Sequence, residues 1–539
     1  MNDHAYPRPQ LRRTSFISLD GSWEFYMSEN EDFPSYYNRN INVPFCPESE
    51  LSGINESVSP GTYLFYRKTF SLPEGFIKSR VLLNFGAIDQ YALIKLNGKI
   101  IADHEGGYEH FTVDITDFLK EENILEVCAW DNLDGLLPYG KQKVKRGGMW
   151  YTPVSGIWQS VWLESVCDDY IKNIKISCDI SSALIEVNGP QDGLITLESG
   201  EEFTLKGGKA KVTPEKTVNW SPEEPFLYNF TIKAGEDEIS SYFALRTLEI
   251  KDIDNIPRLC LNGKPYFFNG LLDQGYFEKG IFTPEEPSDY ERDILAAKKL
   301  GFNTLRKHIK VEPEIFYYVC DKLGMAVFQD MVNNGKYSFF KDSVLPMIGF
   351  QGLSDKKMNK DEHVREAFIR SVCSEVEQLY SHPCICCWTI FNEGWGQFCS
   401  SEMYDMVKEL DKSRFIDSAS GWFSGGKSDV KSLHVYFKKF KMPRPSGKPV
   451  VLSEFGGYVY KIPEHSFNKD KTFGYKFFKD KDEYADAVKK LYADEIFPNI
   501  EKGLCAAIYT QISDVEDETN GLMTYDREVV KLPCDWMEK

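Results

Sequence analysis

From about residue 248 the chain settles into one rhythm: a short apolar run, a loop, then in most cases an amphipathic helix. Tyr266-Phe-Phe-Asn-Gly-Leu-Leu, Asn303-Thr-Leu-Arg-Lys and Ala326-Val-Phe-Gln-Asp are the first three runs. Such near-continuous apolar runs are expected of strands buried on both faces. A helix is expected from Ser288, read as its N-cap, to Leu300, with Gly301 ending it. Others are expected near 314–323, 361–380 and 401–411, and around Tyr484, Val488 and Leu491. In the 361–380 helix, Val364, Phe368, Val372, Val376 and Leu379 share one face. Eight strand candidates in about 290 residues match a closed parallel α/β barrel.

Two of the runs stop abruptly at a glutamate: Thr389-Ile-Phe-Asn-Glu393-Gly and Val450-Val-Leu-Ser-Glu454-Phe-Gly-Gly. In a parallel barrel all such strand ends share one rim, and barrel enzymes work there. Two carboxylates in one cleft suit glycoside hydrolysis. One protonates the leaving oxygen while the other attacks or activates water.

The 539 residues exceed one core, so about three domains are expected. Residues 14–167 read as all-β, with runs such as Val81-Leu-Leu-Asn-Phe and Ile124-Leu-Glu-Val-Cys-Ala-Trp and a hairpin signal at Asn97-Gly98. Their length and the lack of helical periodicity favour a jelly-roll sandwich. Residues 168–247 carry shorter strands broken by turns such as Gly207-Gly208, which suits a small immunoglobulin-like sandwich. Residues 248–539 form the barrel segment.

A net charge of −19 argues against nucleic acid and anionic membrane as partners, since both call for basic patches. It also mildly disfavours a polyanionic substrate. The opening Met-Asn-Asp-His-Ala-Tyr-Pro lacks a basic-plus-apolar leader, and no run of 18 apolar residues occurs, so a cytoplasmic location is expected. Cys384, Cys386 and Cys387 lie inside the strand before Glu393 and read as small core fillers. No second CxxC or His pair has ligand spacing, so no metal site is expected. Oligomeric state is not legible, and a homo-oligomer is compatible with the sequence.

Three features together carry a family resemblance. Gly147-Gly-Met-Trp-Tyr-Thr-Pro-Val-Ser-Gly-Ile-Trp-Gln-Ser-Val-Trp-Leu-Glu closes the first sandwich, Asn392-Glu393 follows the fourth strand, and Ser-Glu454-Phe-Gly-Gly follows the seventh. From about residue 15 to the end, the chain resembles glycoside hydrolase family 2. The resemblance implies a jelly roll, an immunoglobulin-like domain and a (β/α)8 TIM barrel. It also implies a retaining mechanism without an organic cofactor, acting on a small β-glycoside or oligosaccharide. Glu393 would be the acid/base and Glu454 the nucleophile. Asn392 would bond the sugar's 2-hydroxyl.

Other strand-end residues are candidates for substrate binding. Arg306 could hold Glu454 ionised, and His308 could face the same rim, although relatives usually place the histidine one residue later. His434 and Tyr436 alternate on the sixth strand and so share a side. Tyr436 could donate to Glu454, and Trp422 could floor the sugar subsite. Asp273 and Asp514 are placed for hydroxyl recognition. Gly148 stands where related β-galactosidases carry an aspartate, so a galactoside label is nominal. β-Glucuronidase and β-mannosidase are the alternatives, with a catalytically inactive carbohydrate-binding protein a remote one. Asn468-Lys-Asp-Lys471 only partly resembles the uronate-reading motif of β-glucuronidases. The loop from Asp131 to Arg146 could reach the cleft.

Overall fold

The computed structural model describes residues 6–338, 340 and 355–537. The first sandwich pairs a four-stranded sheet, containing Val161–Val166 and Arg80–Phe85, with a six-stranded sheet built around Tyr63–Phe70 and Asn123–Trp130. Trp23, Phe25, Tyr66, Leu83, Phe85, Ile94, Val127 and Leu163 fill the space between. Strands Tyr91–Leu96 and Lys99–Glu105 are joined by Asn97 and Gly98 at φ 54° and 82°. A two-residue hairpin needs that left-handed pair. A second sandwich follows, of three and four strands between Asn173–Cys178 and Asp237–Phe243.

The barrel has eight parallel strands. In chain order they are Phe268–Asp273, Thr304–Lys307, Ala326–Asp330, Ile385–Thr389, Phe415–Asp417, Lys431–Val435, Val450–Gly456 and Leu504–Thr510. Each is hydrogen-bonded to its sequence neighbours and the eighth to the first, except that no ladder joins the fifth and sixth among the described residues. There the hydroxyls of Ser420 and Ser432 lie 3.4 Å apart. Phe268, Phe328, Cys386, Phe415, Val451 and Ile508 belong to the buried cluster of the barrel. Cys384, Cys386 and Cys387 are buried free thiols.

Helices Ser288–Lys299, Glu314–Leu323, Glu362–Leu379, Ser400–Leu410 and Lys481–Leu491 fall where the periodicity predicts. Ser288, however, is the first helical residue and not the cap. Pro287 takes the cap position, its fixed φ already suited to a helix start. The fifth-to-sixth and sixth-to-seventh connections contain no helix. The first is rich in Ser and Gly, and the second carries Pro443, Pro445 and Pro449, residues that disfavour helix.

Buried charge locks the bodies together. Arg13 bonds Glu164 of the first sandwich at 2.9 Å and Asp237 of the second at 2.9 Å. Burial alone would raise the Glu164 carboxyl, but Arg8 and Arg13 outweigh it and hold the group down at about 2. Trp220 of the second sandwich donates to the Asp321 carbonyl of the barrel at 2.8 Å. Arg13→Ala is expected to cost ~3–5 kcal/mol in chemical unfolding, because it leaves buried Asp237 without its cation and Glu164 with Arg8 as its one remaining cation. Since the folded Glu164 lies below its unfolded value, its stabilisation is complete above about pH 5 and is lost as pH falls toward 2. Acid unfolding of Glu164→Gln should show a correspondingly flatter pH dependence.

Candidate active site

The fourth and seventh strands bring their glutamates to one place. Beyond Thr389 the chain continues as a single parallel bridge, Asn392 to Ser420, and the Glu393 amide donates to the Ser420 carbonyl at 2.9 Å. Glu393 sits at φ 53°, a left-handed conformation unusual for glutamate. The ladders on both sides of Glu454 shift register, at Leu433/His434 and between Leu452 and Phe455. Such irregularities re-aim a side chain at a barrel rim. One donor atom each from Glu393, His434 and Glu454 lies within 4.8 Å of the other two.

Arg306 anchors the floor. Its guanidinium donates to Asp330 Oδ1 at 2.8 Å, to Glu454 Oε1 and the Ser453 carbonyl at 3.1 Å, and to Asn392 Oδ1 at 2.9 Å. With its oxygen taken, Asn392 has amide hydrogens to offer a further acceptor. Tyr436 donates to Glu454 Oε2 at 2.5 Å. Burial pushes the Glu454 carboxyl up, but His434, Arg306, His308 and Lys141 together bring it down to about 2. Glu454 is therefore an ionised, oriented carboxylate.

Glu393 has different partners. Its Oε1 lies 2.8 Å from His434 Nδ1, and His434 Nε2 lies 2.9 Å from Ser420 Oγ. Ser420 spends its hydrogen on Ser453 Oγ at 2.9 Å, so Nε2 is the donor to Ser420. Nδ1 is then the ring nitrogen turned to Glu393. The Glu393 side chain is 20% exposed and that of Glu454 is 6% exposed, so the cleft opens on the Glu393 side.

The remaining candidates divide. His308 is buried and holds Asp330 Oδ2 at 2.8 Å, so it supports Arg306 through Asp330. Trp422 packs 5.7 Å from the His434 ring. Asp273 and Asp514 have no recorded contact with either glutamate among the described residues. Lys307 holds Asp273 at 2.6 Å, and Lys531 holds Asp514 at 2.6 Å. Lys469 and Lys471 are exposed, with their carbonyls tied to Lys461.

Several neighbours escape sequence reasoning. Tyr475 stacks on Tyr436, with centroids 3.8 Å apart. Ser420 and Ser453 relay to His434. The first sandwich supplies a wall through the loop flagged from its position at 131–146. Tyr139 and Gly140 amides donate to the Asn333 carbonyl, Arg146 pairs with Glu516 at 3.0 Å, and Tyr151 donates to Glu518 at 2.5 Å. Trp150 from this segment meets Tyr337 and Trp395 edge-on at 4.9 and 5.3 Å. The Glu393, His434 and Glu454 trio is spaced like metal ligands, but the Arg306 guanidinium already neutralises Glu454.

The model for the family 2 glycosyl hydrolase TIM barrel domain matches residues 250–456, and that for the family's galactose-binding domain-like region matches 38–148. The chain belongs to glycoside hydrolase family 2. It is 24% identical over 441 residues to a β-galactosidase of Thermoanaerobacter pseudethanolicus, covering 74% of this chain and 54% of that one. It is 23% identical over 412 residues to a β-glucuronidase of Bacteroides fragilis, covering 70% and 56%. The chain thus spans about half the length of these curated relatives. The solved β-D-glucuronidase of Dictyoglomus thermophilum aligns over 99% of both chains at TM-score 0.75 and 18% identity. A β-galacturonidase of Eisenbergiella tayi aligns over 97% of both at TM-score 0.71 and 20% identity. No helix among the described residues is long and apolar enough to cross a membrane.

The wall has a testable weak point. Gly140 has φ +66°, and a Cβ there would stand 2.8 Å from the Ile309 carbonyl. Gly140→Ala is expected to lose ~1–3 kcal/mol of stability in thermal unfolding.

Proposed function

We propose that this chain is a retaining exo-β-glycosidase that releases terminal β-linked sugars by double displacement. The observation that carries this reading is the close approach of Glu393 and Glu454, whose donor atoms fall within 4.8 Å. Retaining enzymes hold their carboxyl groups only ~5–5.5 Å apart, while inverting ones leave room for a water.

In the first step Glu454 attacks the anomeric carbon and Glu393 gives its proton to the departing glycosidic oxygen. A glycosyl ester on Glu454 results. In the second step ionised Glu393 takes a proton from water as that water's oxygen attacks the anomeric carbon, and Glu454 leaves. Arg306 and Tyr436 stabilise the carboxylate before attack and again as it leaves. His434 Nδ1 lies 2.8 Å from Glu393 Oε1 and so orients that carboxyl toward the departing oxygen. Asn392 offers its amide hydrogens to the 2-hydroxyl, a bond that strengthens at the transition state.

The names of the relatives divide between β-galactosidase and β-glucuronidase, so the sugar is to be assigned by rates. Initial rates on nitrophenyl β-galactoside, β-glucuronide, β-mannoside and β-glucoside should reveal one dominant substrate. Glu454→Gln should abolish its turnover. Glu393→Gln should slow substrates with poor leaving groups by ~10²–10⁴. Proton NMR of early product should show the β-anomer first, and an α-anomer first would overturn the retaining reading. Tyr436→Phe removes a donor to ionised Glu454, so the acid limb of the pH–rate profile should move upward from about 2. The same change should lower kcat/KM by ~10–10².

A further inference from the structure

The wall laid down by the first sandwich carries a cation whose charge nothing nearby neutralises by direct contact. Lys141 follows Gly140, whose amide donates to the Asn333 carbonyl at 3.2 Å. A Cβ on Gly140 would stand 2.8 Å from the Ile309 carbonyl and 3.7 Å from Val332 Cγ1. Those residues lie just past the second and third barrel strands, beside His308 and Asp330. On the other side Gln142 is buried and bonds Asp89, Tyr108 and the Val154 amide. The Lys141 carbonyl itself accepts from the Tyr151 amide at 3.0 Å. The backbone is therefore pinned over the strand ends, while the side chain is half-buried.

Among the described residues the Lys141 ammonium has no hydrogen-bond or ion-pair partner. Its field nonetheless reaches the site: it lowers Glu454, adds to the effect of burial in lowering His308, and opposes the rise that burial imposes on Glu518. The other cations nearby are committed. Arg306 serves three side chains, Arg146 holds Glu516, Lys307 holds Asp273 and Glu312, and Lys531 holds Asp514.

A half-buried ammonium with no counter-ion of its own is available to an anionic ligand. Glu393, Glu454 and Glu518 line the same region, on a chain of net charge −19, and would repel an anionic sugar. We propose that Lys141 reads the carboxylate of a β-linked hexuronic acid in the terminal sugar subsite. This rests on the glycosidase reading above and names its substrate class. A neutral sugar offers Lys141 only hydroxyls, whereas a hexuronate offers a charge-assisted bond. The reader belongs to the sandwich and the chemistry to the barrel.

The test compares wild type, Lys141→Met and Lys141→Arg on nitrophenyl β-glucuronide, β-galacturonide, β-glucoside and β-galactoside. Calorimetric binding of the four free sugars and thermal unfolding accompany the rates. Wild type should prefer one uronide, and the panel tells which epimer. Lys141→Met should lose ~10²-fold in kcat/KM on that uronide, mainly through KM, so that the ratio of uronide to neutral-glycoside kcat/KM falls by a similar factor. Lys141→Arg should restore most of the loss, and melting should be unchanged. A wild type that prefers neutral glycosides overturns the proposal and leaves the glycosidase reading intact. So does a Lys141→Met protein that slows every substrate equally, which would make Lys141 only a support for Glu454's charge. If no glycoside is hydrolysed, the glycosidase reading fails by itself. In that case binding still decides: hexuronate affinity lost in Lys141→Met supports the anion-reading role, and equal affinity for hexuronate and hexose overturns it.

Discussion

A single guanidinium sets the geometry of the cleft. Arg306 is 1% exposed, and a charge taken so far from water is tolerated only when every donor finds an acceptor. Its acceptors come from the third, fourth and seventh strands, so the group that satisfies Arg306 also assembles the site. Asn392 is oriented because its oxygen is used, and Glu454 is ionised because its neighbour is positive. Asp330 shares Arg306 with His308, which extends the same network one shell outward.

The second organising element is a chain of hydrogen bonds behind His434. The hydroxyls of Ser420 and Ser453 run from the fifth strand's loop to the seventh strand and end on the Leu433 carbonyl. They hold the His434 ring so that Nδ1 meets Glu393. Two chemically identical side chains are thereby given different surroundings. One is flanked by a guanidinium and a phenol, the other by an imidazole and an open cleft. The left-handed backbone at Glu393 belongs to this arrangement. It is a local cost of ~1–3 kcal/mol that surrounding packing must offset, as with the Phe423 ring seated against Gly394.

Much of this was legible in the chain, for identifiable reasons. Buried parallel strands leave uninterrupted apolar runs, so the points where Glu393 and Glu454 end such runs stand out. Alternation placed His434 and Tyr436 on one side, and a strand-end arginine beside a carboxylate site is a recognisable pair. Asp273 and Asp514 show the limit. Whether a strand-end acid faces a cleft or a buried lysine depends on where Lys307 and Lys531 lie in space, which local pattern does not encode. Ser288 shows a smaller limit, since serine and the proline before it compete for the same cap position. Tyr475 and Lys141 come from loops with no periodicity, and Lys141 reaches the barrel from a different folded body.

That last feature bears on how such a molecule can change. Glu393, Glu454 and Arg306 are rooted at the ends of buried barrel strands. The wall facing them hangs from a separate sandwich and is tied to the barrel at Asn333 and Gly335, at Glu516 and Glu518, and through Trp150 against Tyr337 and Trp395. The two sides of the cleft therefore belong to different folded bodies. Its width is set at the seam between sandwich and barrel, so a strain that shifts one body against the other changes the distance from Lys141 to Glu454 while leaving each core intact.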